Sequence, residues 1–146
     1  MTEVLRLLAR AHKLVRAAAD DAMSEHGVRI GQNLVLEELW EADGLTPGEL
    51  ATRLGVTTPT VVNTATRMET AGLLVRRPDP ADGRLVRLHL TARARAARRP
   101  IEEARRRLAE HATATLTPTE LRHLRSALEK IISQMDAGHP GGGRVT

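Results

Sequence analysis

The chain has no cysteine, no phenylalanine and no tyrosine, and its one tryptophan is Trp40. Without cysteine there is no disulfide, no thiolate metal site and no thiol redox switch. Without Phe or Tyr the core has to be aliphatic. The same lack removes the usual platform for stacking unpaired bases and disfavours an RNA or single-strand binder. Long apolar runs are also missing. The opening MTEVLRLLARAHKLVRAAADDAM is broken by charge every few positions, so it reads as neither a secretion signal nor a membrane span. A cytoplasmic protein with no membrane partner is expected. The six histidines form no HxxxH pair, and there is no phosphate-binding glycine loop, Ser-x-x-Lys or nucleophile elbow. No enzyme activity, no metal site and no cofactor are therefore expected.

Leu, Ala and Arg dominate what remains, and they favour helices. The 146 residues suit one domain with its own core. Net charge is only +4, but it is unevenly placed. Residues 1–52 carry five basic and nine acidic groups, residues 53–99 ten against three, and residues 100–146 seven against six. The positive excess lies in the middle segment, as an anionic partner requires.

Periodicity predicts the order helix, helix, helix, helix, hairpin, helix, helix. Val4, Leu8, Ala11, Val15, Ala18 and Ala22 form one apolar seam along a first helix over 3–25, and Gly27 ends it. A second helix runs from Ile30 to Ala42, with Leu34, Val35, Leu39 and Trp40 as candidates for burial. Thr46-Pro47-Gly48-Glu49 is a capping box opening a short third helix that Gly55 stops. Thr58, as cap before Pro59, opens a fourth helix that Gly72 stops. Leu73–Arg77 and Leu85–Leu90 are predicted strands, and Val86, Leu88 and Leu90 alternate onto one face. Helix returns from Thr91 to about Thr115, with Pro100 expected to bend it. Thr117-Pro118-Thr119-Glu120 caps a last helix whose seam is Leu121, Leu124, Leu128, Ile131 and Met135. Residues 136–146 read as a disordered tail.

The third and fourth helices have the proportions of a helix-turn-helix. Val61, Ala65 and Met68 fall at i, i+4, i+7 and mark the buried face of the fourth. The opposite face carries Pro59, Thr60, Val62, Asn63, Thr66 and Arg67, with Thr57 and Thr58 at its start. Short polar side chains and methyls of this kind suit the major groove, and Asn63 can pair bidentately with adenine. A hairpin straight after such a pair makes a winged helix. Arg84 at its tip suits a narrow minor groove, Asp82 orients that guanidinium, and Arg76, Arg77 and Arg87 flank the hairpin. The rival reading is a winged-helix protein-interaction module without DNA binding, in which the arginines of residues 76–87 close into salt bridges.

The block RLGVTTPTVVNTATRMETAGLLVRR and the wing DGRLVRLHLT resemble the MarR (multiple-antibiotic-resistance regulator) family of bacterial transcription factors. Asp82, Arg84, Leu90 and Thr91 match that family's wing spacing of Asp-x-Arg, five residues, Leu-Thr. Two departures stand out: Asn63 where many relatives carry Arg, and Ala94 where a Gly often follows Leu-Thr. The resemblance implies a mainly α fold, a winged helix-turn-helix with a two-stranded β wing plus an N- and C-terminal helical dimerisation bundle. It further implies a homodimeric repressor on a palindromic double-stranded operator, released by a small aromatic or acidic effector. The expected division is a DNA-binding region over 30–91 and a dimerisation region over 1–29 and 92–135. The apolar seams of the first and last helices support the dimer independently, because one small domain has little with which to cover them. His12, Arg16 and Trp40 are the expected lining of an effector pocket, as two anion partners and one aromatic wall.

Overall fold

The structure is a computed structural model that describes residues 2–29 and 31–138. Its elements are α1 (Thr2–Ser24), α2 (Gln32–Glu41), α3 (Pro47–Leu54), α4 (Thr58–Thr70), β1 (Leu74–Pro78), β2 (Val86–Leu90), α5 (Ala92–Ala112) and α6 (Pro118–Asp136). Ile30 and residues 139–146, including most of the expected tail, lie outside the described residues, and Asp136 closes α6.

The capping chemistry sets most boundaries. Thr46 and Thr117 each accept a hydrogen bond from the backbone of a glutamate three residues on, and each glutamate returns it, completing two capping boxes. Gly55 ends α3 at φ +66°, in the left-handed region that a residue with a Cβ avoids. The cap of α4 is Thr57, one residue before the expected Thr58. A residue preceding proline avoids the α region, which favours Thr58 as the non-helical cap. In the structure Thr57 is the extended residue, and its hydroxyl accepts from the Thr60 N–H at 3.3 Å. α5 runs through Pro100, which removes one hydrogen-bond donor without ending the helix.

The strands pair antiparallel in the register Leu74↔Leu90, Arg76↔Leu88, Pro78↔Val86. A further bridge joins Leu45 to Leu88, so the segment between α2 and α3 lies along β2. The chain divides into two compact units at Leu108. The core of the first takes Val35, Leu36 and Leu39 from α2, Leu50 and Ala51 from α3, and Val61, Ala65 and Met68 from α4. Leu74, Leu88 and Leu90 of the hairpin, Met23 of α1, Ala94, Ala97 and Ile101 of α5, and Val28, Leu45 and Leu73 from the connecting segments complete it. Leu34, expected inside, is exposed, and Leu36 takes its place, because Gln32, Val35, Leu36 and Leu39 are the residues that share one face of α2. In the second unit, α6 has no buried residue. Among the described residues no helix is long and apolar enough to cross a membrane.

Candidate nucleic-acid interface

α4 is held by its buried face and offers the other. Val61, Ala65 and Met68 are buried as the spacing predicts. Thr58, Pro59, Thr60, Val62, Asn63, Thr66 and Arg67 are exposed. Not all of these side chains are equally available. The Thr57 hydroxyl caps the helix and also bonds the Thr60 hydroxyl at 2.8 Å. Thr66 donates to the Val62 carbonyl and accepts from Arg76 at 2.8 Å. Asn63 and Arg67 make no side-chain hydrogen bond or ion pair with any described residue.

The arginines around the hairpin divide into two groups. Arg76 lies opposite Leu88 on the face turned to α4, and it grips that helix through Glu69 at 3.0 Å, the Val62 carbonyl at 3.2 Å and Thr66. Arg87 bonds the Asp79 carboxylate, the Gly44 carbonyl at 2.9 Å and, at 3.9 Å, Glu49 of α3. These two side chains fasten the hairpin to the body, through ion pairs of the kind the interaction-module reading expects. Arg77 is exposed without a partner among the described residues, and the Arg84 side chain is 91% exposed.

The turn is organised by two carboxylates. Asp79 accepts the N–H groups of Ala81 at 2.8 Å and Asp82 at 2.9 Å. Asp82 accepts both the backbone N–H of Arg84 and its guanidinium Nε, each at 3.1 Å. The Arg87 guanidinium holds the Asp79 carboxyl below the usual aspartate range, helped by the Asp82 and Ala81 N–H groups and opposed by burial. Arg84 does the same for Asp82, first through its side chain and then through its backbone N–H. Asp79 in turn pushes Arg87 up.

The Leu-Thr that ends the wing has a local reason. Leu90 is buried, and its N–H reaches Asp43 at 2.9 Å. Thr91 donates its hydroxyl to the Gly72 carbonyl at 2.7 Å and accepts from the Ala94 N–H at 3.2 Å. It therefore ties the end of α4 to the start of α5. Asp43, Glu69 and Asp79 organise the site, and in the sequence they stand out only as acidic charge. The one signal available was Asp79 standing two residues before a turn N–H, the spacing of an Asx turn.

Of the three expected effector residues, Trp40 is half-buried against α5, while His12 and Arg16 are exposed. Trp40 donates its indole N–H to the Ala94 carbonyl at 3.0 Å, and Arg98 lies 6.0 Å from its ring centroid. The cavity beside it, about 260 Å³, is lined by Leu39, Asp43, Leu90, Arg95 and Arg98, not by His12 or Arg16, which are exposed on α1. A larger cavity of about 550 Å³ lies against the C-terminal half of α4, where Arg29, Gln32, Thr64, Arg67 and Thr70 line it. Among the described residues no group of three His, Asp or Glu is placed to hold a metal.

Comparison with known proteins agrees with this geometry. A profile of the MarR family matches residues 26–85. The HTH-type transcriptional repressor Rv2887 of Mycobacterium tuberculosis is 32% identical over 126 residues, covering 86% of this chain and 90% of its own. The crystal structure of reduced MarR from E. coli superposes with a TM-score of 0.73 at 25% identity, over 86% of this chain and 93% of the other. YusO of Bacillus subtilis superposes equally well, at 0.73 and 22% identity, over 91% and 94% of the two chains.

Proposed function

Because the chain belongs to the MarR family of transcriptional regulators, we propose that it is a cytoplasmic homodimeric repressor that grips a palindromic operator, with α4 in the major groove and the wing in the adjacent minor groove. One observation carries the reading. The outer face of α4 presents Asn63 and Arg67 without internal partners, while Arg84 stands exposed on a hairpin bolted to that same helix through Arg76. A reading helix and a minor-groove arm need a fixed mutual geometry to enter neighbouring grooves together. The interaction-module reading gains from the closed ion pairs of Arg76 and Arg87, but it leaves the free donors of Asn63, Arg67 and Arg77 without a task.

The proposed dimer follows from apolar faces left uncovered. Val4, Leu5, Leu7, Leu14 and Val15 of α1 and Leu121, Leu124, Ile131, Ile132 and Met135 of α6 are all exposed. A second copy covers such faces at the least cost in new sequence. For an acidic effector, the larger cavity is the better seat. Its volume falls in the range of small-ligand sites, roughly 300–1,000 Å³, and it offers two arginines. Occupying it would withdraw Arg67 from DNA, coupling ligand to operator by about 1–3 kcal/mol.

Selection from a random-sequence duplex pool tests the function. The expected product is an inverted repeat with half-sites about one helical turn apart, and Asn63→Ala should relax preference at one position per half-site by about 1–3 kcal/mol. No enrichment would remove the DNA-binding reading. A uniform loss at every position would remove Asn63 from base recognition.

A further inference from the structure

We propose that Arg87 and Asp79 are positioning residues for Arg84, forming a relay that carries the orientation of the helical body to the wing tip. The inference rests on the minor-groove role given to Arg84 above. An arginine on an exposed two-stranded hairpin has many rotamers, and ordering them on binding lowers affinity. The relay removes much of that freedom in advance.

It starts in the body. The Gly44 carbonyl and Glu49 hold the guanidinium of Arg87 at 2.9 and 3.9 Å. Gly44 is itself fixed. Its φ is +78°, and a Cβ there would stand 2.9 Å from the His89 ring. Its N–H donates to the Leu88 carbonyl at 3.0 Å. The next link is the bond from Arg87 Nε to Asp79, a carboxylate only 10% exposed. The other Asp79 oxygen gathers the N–H groups of Ala81 and Asp82, which sets the backbone direction at Asp82. Finally Asp82 holds Arg84 at both its backbone and its guanidinium. Each link acts on the next residue's geometry, and only Arg84 is left reaching into solvent.

A double-mutant cycle in the full chain tests this, using the tightest duplex recovered from the random pool as probe. Arg87→Ala should weaken binding about 3- to 10-fold, the loss of one pre-ordered side chain. In an Arg84→Ala background the same substitution should cost nothing further. The salt dependence of binding should be the same for Arg87→Ala as for the unsubstituted chain, because Arg87 touches no phosphate. Equal losses in both backgrounds, or a shallower salt slope for Arg87→Ala, would overturn the relay and make Arg87 a direct contact or a general support. If Arg87→Ala does not fold, Asp79→Asn runs the same cycle, since its amide oxygen still accepts the turn N–H groups while the charge facing Arg87 is gone. Arg84→Ala with unchanged affinity would sink the wing reading itself and the relay with it. Loss on Arg84→Ala with additivity sinks the relay alone.

Discussion

Arg76, Arg77, Arg84 and Arg87 carry the same charge within twelve positions, yet the bonds around them give them different work. Arg76 and Arg87 have their donors directed inward at Glu69 and Asp79, whereas Arg77 and Arg84 face solvent. Surface ion pairs of this kind add little stability on average. Their value here is directional, since Asp79 fixes a turn as well as a charge. The pH behaviour of Asp79 follows from its lowered pKa. A carboxyl whose folded pKa lies below its unfolded value of about 3.9 contributes stability that is complete above that value. The contribution is lost as pH falls through the lower, folded value. The turn should therefore keep its order from neutrality down to about pH 4 and open only in stronger acid. NMR titration of the Asp79 carboxyl, with exchange rates of the Ala81 and Asp82 amides, checks this. The amides should lose protection together as Asp79 takes up its proton, and an Asp79 midpoint at or above the ordinary value would rule out the pairing.

At the scale of elements, α4 shows what a local rule can and cannot place. Its buried face was readable from Val61, Ala65 and Met68, because helical spacing alone puts them together. Its first residue was not. Thr57 and Thr58 have the same side chain, and only the backbone angles decide which one caps. The structure gives the role to Thr57, so Thr57→Ala should destabilise the protein by about 0.5–2 kcal/mol, read as a lower denaturation midpoint in urea. Thr58→Ala, inside the first turn, should cost much less. The reverse order would restore Thr58 as the cap. The wing was legible as a hairpin from its alternation, but the bridge from Leu45 was not. A single bridging residue in the four-residue segment between Glu41 and Thr46 carries no period to detect.

For the whole molecule, the apolar residues left outside are as informative as those inside. α6 is an amphipathic helix with no buried residue, and Leu121, Leu124, Ile131 and Met135 of its predicted seam remain exposed. Under the proposed dimer, Leu124→Glu with Ile131→Glu should shift the protein from dimer to monomer in sedimentation velocity. Binding to the inverted repeat should fall toward that of a single half-site. A variant that stays dimeric would exclude the α6 seam as the interface. Met23 of α1 and Ala94, Ala97 and Ile101 of α5 share one core with the helix-turn-helix.

The sequence by itself determined the element order, both capping boxes, the inward face of α4 and the placing of Arg84 at a hairpin tip. All of these depend on neighbours a few residues apart, where spacing and side-chain type fix the geometry. Only the tertiary structure decided that Arg76 meets Glu69, that Arg87 meets Asp79, and that Trp40 hydrogen-bonds α5. The pairings Arg76–Glu69, Arg87–Asp79 and Trp40–Ala94 join residues 7 to 54 positions apart, and a charge or a ring shows no preference among distant partners until packing brings one of them within bonding distance.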